Sequence, residues 1–289
     1  MLPLAKILLP VDFSERSVGA AHYAKNLADR VHSSVVLLHV VKPFDLTMGG
    51  EMSGAVASDW YANRVVEART RLQSYLTQEL DGVSVDRVVV EGDPALEIVG
   101  YAHKEHCNLV VMPTHGYGPF RRFILGSVTA KVLHDADCPV FTGSHMADSP
   151  PPEAISFRSI LCAVDFGPQS DKVLCWAKQM AAEYSARLSV THALPPLEVG
   201  EVRYFDPSWH VTLKKRAGEQ MEDLMRRISA KAEIFIESGE APAVVHDVAE
   251  AVEADVVVIG RHVNAGILGR LRRNSYAIVR ESPCPVISV

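Results

Sequence analysis

The chain repeats itself. Lys6-Ile7-Leu8-Leu9-Pro10-Val11-Asp12-Phe13 returns much later as Ser159-Ile160-Leu161-Cys162-Ala163-Val164-Asp165-Phe166. Leu38-His39-Val40 returns as Thr191-His192-Ala193, and Val110-Val111-Met112-Pro113-Thr114-His115-Gly116 returns as Val257-Val258-Ile259-Gly260-Arg261-His262-Val263. Cys138-Pro139-Val140 closes one copy and Cys284-Pro285-Val286 the other. Landmarks kept in one order at nearly constant offset mark an internal duplication. Its period is far beyond the ~20–50 residues of a solenoid repeat, so each copy should be a whole domain. What the copies share reports the fold, and where they differ reports which copy works.

The bulk properties agree. A length of 289 residues suits two domains, each of roughly 100–150 residues. Hydrophobic content of 48% with 22% charged residues fills two ordinary globular cores. A net charge of −6 argues against sequence-independent nucleic-acid binding and against attraction to anionic membranes. No apolar run approaches the ~18–20 residues of a spanning helix. The chain enters a strand within a few residues, which speaks against a signal peptide. Five cysteines, an odd number without disulfide-like spacing, fit a reducing cytoplasm.

Each copy alternates strands and helices. Ile7 to Val11 is a continuous apolar run, suited to a central strand covered on both faces. Ser14 is placed to cap a helix whose apolar face is Ala20, Ala21, Ala24, Leu27 and Ala28. Val35–Val41 reads as a second strand and the stretch through Gly49, Gly50 and Gly54 as a loop. A long polar helix is expected from Ser58 to Leu80, then a strand at Val83–Val90 and a helix opened by Pro94. Strands at Leu109–Met112 and Pro139–Thr142 complete the copy, and the same alternation recurs from Ser159 onward. Asp148-Ser149-Pro150-Pro151-Pro152-Glu153 is too proline-rich for an element and reads as a linker. The expected organisation is a domain at 1–143, a linker at 144–156 and a second domain at 157–289. The fold class is α/β, two similar doubly wound domains in tandem, each with a five-stranded parallel sheet.

Ligands of such sheets bind beyond the carboxyl ends of the strands, where strand order reverses. There the first strand ends in Val11-Asp12 and the fourth in Met112-Pro113-Thr114-His115-Gly116. Nine residues separate Gly116 from Gly126-Ser127-Val128-Thr129, which opens a helical pattern. Glycines let backbone N–H groups approach an anion, and a helix N-terminus adds unpaired donors and partial positive charge. Ser127 and Thr129 offer hydroxyls, while Arg121 and Arg122 offer charge. The chemistry suggested is cradling of a nucleotide's phosphates.

On these residues the chain resembles the universal stress proteins in their tandem two-domain form, over nearly its whole length. The matching features are Val11-Asp12, Leu38-His39-Val40, Thr114-His115-Gly116, Gly126-Ser127-Val128 and Cys138-Pro139-Val140. The resemblance implies an adenine nucleotide α-hydrolase-like fold and, in ATP-binding members, a G-x2-G-x9-G-(S/T) loop. Gly116, Gly126 and Ser127 fit that pattern, and Pro113 stands where the first glycine belongs. By resemblance, Pro10, Val11, Asp12 and Val40 map to the adenine and ribose contacts, and Gly116, Gly126, Ser127, Val128 and Thr129 to the phosphate contacts. Met112, Pro113 and His115 complete the candidate set. Proline has no N–H to offer and restricts the residue before it.

The second copy loses the pattern. Gly260 restores the first glycine, but Val263 replaces the second, and Arg272 or Arg273 replaces the third depending on where a one-residue gap falls. This copy is not expected to bind ATP as the first does. Arg270, Arg272 and Arg273 are read as a solvated basic helix start rather than an anion site.

Asp12 either touches ribose or Mg²⁺ or caps the first helix; the persistence of Asp165 favours some structural role for both, while the place of Asp12 at a strand's carboxyl end favours ligand contact. His39/His192 and His115/His262 recur regardless of the phosphate residues, which marks them as structural rather than catalytic. His103, His106 and Cys107 share helical spacing but lack a fourth metal ligand. Cys138 and Cys284 read as buried small hydrophobes. The expected function is a cytoplasmic stress-response protein that binds ATP, with or without Mg²⁺, in its N-terminal domain as a regulatory or structural ligand. The alternatives are slow ATP hydrolysis and a protein-interaction module that has lost its nucleotide. No catalytic or metal-ligating residue is assigned. An unidentified protein partner and assembly into a homodimer complete the expectation.

Overall fold

The computed structural model describes residues 2, 4–43, 54–115, 125–196, 207–261 and 269–289. The chain divides into two compact units, one spanning Pro3–Ile155 and the other Ser156–Val289 with Met1–Leu2.

The first unit runs β1 (Lys6–Pro10), α1 (Glu15–Val31), β2 (Ser34–Val41), α2 (Gly54–Ser74), β3 (Val85–Glu91), α3 (Pro94–Lys104), β4 (Leu109–Val111), α4 (Ser127–Asp135) and β5 (Val140–Thr142). The strands lie in the order β3-β2-β1-β4-β5, every pair parallel. Ile7, Leu8 and Leu9 of β1 and Val110 and Val111 of β4 are buried, as central strands covered on both faces must be. Strand order reverses between β1 and β4, which opens a crevice at their carboxyl ends.

The second unit repeats the plan with β6 (Ser159–Ala163), α5 (Ser170–Tyr184), β7 (Arg187–Leu194), α6 (Pro207–Ile228), β8 (Glu233–Ser238), α7 (Ala241–Ala251), β9 (Val256–Ile259), α8 (Gly269–Glu281) and β10 (Val286–Ser288). Its order is β8-β7-β6-β9-β10, again parallel throughout.

Three expectations change. Helix α2 stops at Ser74 instead of reaching Leu80, because Leu76 takes a left-handed conformation (φ 55°) that ends the helical run. Ser14 sits at the cap of α1, but its hydroxyl accepts nothing from the helix and instead donates to Asp12 Oδ1 at 2.5 Å. The proline-rich stretch does contain elements, short 3₁₀ turns at Ser144–Asp148 and Pro152–Ala154.

Those turns are strapped to α1. Met146 is fully buried, and its carbonyl lies where any side chain at Gly19 would have to go: a Cβ there would stand 1.4 Å from it. His22 Nδ1 bonds Ser149 Oγ at 3.0 Å, and the Asn26 amide donates to the carbonyls of Pro152 and Ile155 at 3.0 and 2.9 Å.

Candidate functional site

The carboxyl ends of β1 and β2 are shaped by one small device, present in both units. Phe13 and Phe166 adopt left-handed backbone conformations (φ 64° and 57°), which folds each ring back over the histidine of the next strand. Phe13 lies 4.4 Å from the His39 ring and Phe166 lies 4.1 Å from that of His192. His39 Nδ1 donates to the Val11 carbonyl at 2.8 Å, and His192 Nδ1 to that of Val164 at 2.9 Å. Burial is the largest influence on both rings and lowers their pKa from the usual 6.5, against the raising effect of the carbonyl bond. These histidines are neutral struts at neutral pH, holding the strand-end turn in shape.

The recurring aspartate organises the same turn. Asp12 Oδ1 accepts from the Ser14 N–H at 3.0 Å, the Ser14 hydroxyl at 2.5 Å and the Ser17 hydroxyl at 3.0 Å. Asp165 Oδ1 accepts from the Gly167 N–H at 2.8 Å and the Ser170 hydroxyl at 3.3 Å.

Above this floor, the first unit holds a cavity of about 350 Å³. Pro10, Val11, Asp12 and Val40 line it from β1 and β2, while Met112, Pro113, Val128 and Thr129 line it from β4 and α4. Topology thus brings together eight residues that lie far apart in the chain. His115, Gly126 and Ser127 stand in the adjoining turn and helix start instead of the wall. Gly116, Arg121 and Arg122 lie outside the described residues, as do Gly49, Gly50, His262 and Val263.

Several groups expected to face a phosphate are already engaged. The Gly126 N–H donates to the Thr114 carbonyl at 2.8 Å. The Thr129 hydroxyl, on a residue only 2% exposed, donates to the Pro113 carbonyl at 3.0 Å. That bond ties α4 to the end of β4. Gly126 also sits tightly in the turn: a Cβ there would stand 3.2 Å from the Thr114 carbonyl oxygen and 3.3 Å from His115 Cα. His115 is buried, its Nδ1 2.9 Å from the Thr114 hydroxyl. What stays with the nucleotide reading is the start of α4 at Ser127 and Val128, with the positive end of its dipole.

Other wall residues escaped the sequence. Ile98 and Pro94 come from the first turns of α3, Lys42 from just past β2, and Arg64 from α2. Arg64 and Lys42 bring two positive charges to a cavity whose other described lining charge is Asp12.

The second unit keeps a cavity of about 400 Å³ in the same place, lined in part by Asp165, Ser170, Thr191, His192, Asn274 and Ser275. Here the Ser275 hydroxyl reaches the Gly260 carbonyl at 3.3 Å, repeating the Thr129–Pro113 bond. That pairing fixes the register, and Arg272 stands where Gly126 does. Counted in this register, α8 begins at Gly269, four residues before the counterpart of Ser127. Four residues of helix are about 6 Å. The helix N-terminus that could meet an anion has moved away by a full turn.

The remaining candidates separate. Helix α3 ends at Lys104, so His106 (φ 52°) and Cys107 lie beyond it and share no helical face with His103. His103 Nδ1 lies 2.9 Å from Asp137 Oδ2. Burial pushes the Cys107 thiol up to about 11 and the Cys284 thiol up to about 12. Cys138 is only half-buried, in contrast to its counterpart Cys284.

A doubly wound parallel α/β unit with a crevice at its switch point, used twice, defines the architectural class of the chain. Within that class, the model of the universal stress protein family matches residues 4–142 and again 156–289. The chain belongs to the universal stress protein family, in tandem form. A universal stress protein of Methanocaldococcus jannaschii is 35% identical over 137 residues, covering 47% of this chain and 79% of that protein. One from Mycobacterium tuberculosis is 26% identical over 297 residues, covering 97% of this chain and 95% of its own. The crystal structure of a universal stress protein from Archaeoglobus fulgidus superposes with a TM-score of 0.68 at 23% identity, over 98% of this chain and 95% of that one. This last likeness speaks to the fold.

Proposed function

We propose that the N-terminal domain binds one adenine nucleotide, ATP, as a regulatory or structural ligand in a stress response. The observation that carries this reading is the first cavity itself. It joins Pro10, Val11, Asp12 and Val40 to the N-terminal turn of α4 at the switch point of the sheet. By family resemblance the first group meets adenine and ribose, while Ser127, Val128 and Gly126 belong to the phosphate side. Binding to the native state alone would stabilise the domain by mass action and make its stability report nucleotide level.

Mg²⁺ would arrive as the counter-ion of ATP. Asp12 is the single carboxylate among the described lining residues, and its Oδ1 is committed to three donors. The protein's own side chains therefore do not compose a metal site there. Among the described residues no group of three or more metal-ligating side chains occurs elsewhere either.

One observation favours a second reading. Pro113 has no N–H, and the Gly126 N–H and Thr129 hydroxyl are spent on backbone carbonyls. A phosphate loop so depleted suits a protein-interaction module that has given up its nucleotide. Quantifying nucleotide released from purified full-length protein separates the two. About one per chain supports the first reading and none supports the second, while repeated turnover with Mg²⁺ would make the protein a slow ATPase. We place its action in the cytoplasm, a reading supported by five free cysteines and by the absence, among the described residues, of a helix long and apolar enough to cross a membrane.

A further inference from the structure

A nucleoside triphosphate brings several negative charges, and the loop that should meet them is short of donors. Pro113 offers none, the Gly126 N–H serves the Thr114 carbonyl, and the Thr129 hydroxyl serves the Pro113 carbonyl. The described wall instead carries two cations, Lys42 and Arg64, both exposed. Among the described residues neither makes an ion pair with a carboxylate, unlike Lys25, Lys131 or Arg227. The Arg64 guanidinium rests 4.9 Å from the centre of the Trp60 ring, which orients a long side chain without neutralising it. Its field reaches the cavity floor, for it is among the charges that disfavour protonation of His39. Arg71 bears on His39 more strongly than Arg64 does, but it is not among the described residues that line the cavity. In the second unit no described residue of α6 lines the cavity, and no lysine or arginine stands among its described lining residues.

We propose that Arg64, assisted by Lys42, is the phosphate-neutralising group of the first cavity, so that α2 and the end of β2 decide between nucleotide and nucleoside. The proposal rests on the nucleotide reading above. Guanidinium suits the task because it stays charged and meets phosphate oxygens through a planar fork of donors. A charge-assisted hydrogen bond lost at a partly exposed site costs on the order of tenfold in affinity, about 1.4 kcal/mol.

The test is calorimetric titration of the full-length protein with ATP and with adenosine, at low and at high salt. Arg64→Gln is expected to weaken ATP about tenfold, to leave adenosine binding unchanged and to flatten the salt dependence of ATP affinity. Lys42→Gln should act in the same direction but less, and Arg64→Lys should recover part of the loss. The proposal is overturned if Arg64→Gln leaves ATP affinity intact, or if it weakens ATP and adenosine equally, as a general disturbance of α2 would. Wild-type protein that binds no ATP overturns the nucleotide reading itself, and the proposal with it.

Discussion

The two cavities stand on the same floor and differ at their rims. Each floor is a left-handed phenylalanine over a histidine, with the histidine bonded to a valine carbonyl and an aspartate gathering the next turn. Each has a hydroxyl tying the last helix to the end of the central strand. Size does not separate them, at about 350 and 400 Å³. The first opens onto the start of α4 and two cations, whereas in the second the equivalent helix begins a turn early. Duplication kept the parts that hold the turn, while the helix start and the charges at the rim diverged.

The strongest way to break this contrast is to give the first copy the second copy's residue. Gly126→Arg should reduce ATP affinity more than about 100-fold, since it also crowds the Thr114 carbonyl and His115. Calorimetry that still finds tight ATP binding, or that finds two equivalent sites in the wild type, removes the asymmetry. Next in size, Asp12→Ala and Asp165→Ala should each destabilise the protein by about 1–2 kcal/mol in urea unfolding, because each leaves turn donors unpaired. Comparable losses would identify the aspartates as scaffold, whereas an Asp12→Ala variant that keeps its stability and loses ATP affinity would make Asp12 a ligand residue. Chemistry separates the copies again at their ends. A mild alkylating reagent followed by peptide mass mapping should label half-buried Cys138 well before Cys284, whose thiol is pushed up to about 12.

The smallest effect is a pH slope. His39 and His192 have folded-state pKa values below the usual 6.5, so the unfolded chain binds more protons. Their contribution to stability is complete above about pH 6.5 and is lost as pH falls toward the lowered folded values. Thermal melts between pH 7.5 and 5.5 should show this decline, and His39→Gln with His192→Gln should shallow it. Unequal effects of the two single variants would break the equivalence of the floors.

The fold was legible because buried parallel strands write themselves as apolar runs, as in Ile7–Leu9 and Val256–Val258, and because the chain writes them twice. Part of the candidate site was legible too, since strand ends and the start of α4 follow from topology once β1 and β4 are placed. Arg64 was not. On a helix as polar as α2, a cation beside a cavity reads the same as one in solvent. The commitments of the Gly126 N–H and the Thr129 hydroxyl were equally invisible, because each depends on a carbonyl brought close only by the folded turn. The misplaced end of α2 has a similar cause, for nothing local announces the left-handed Leu76. The gap in the second copy was undecidable until the Ser275–Gly260 bond fixed the register.

The strap over α1 bears on where such a chain can be divided. A cut at residue 143 would follow the last strand of the first copy, yet it would strip away Met146 and bare the glycine notch that its backbone fills. A fragment ending after Ile155 carries its own cover and should stay monodisperse, whereas one ending at residue 143 should expose apolar surface and aggregate. The proline-rich stretch is less a hinge between two proteins than the hem of the first.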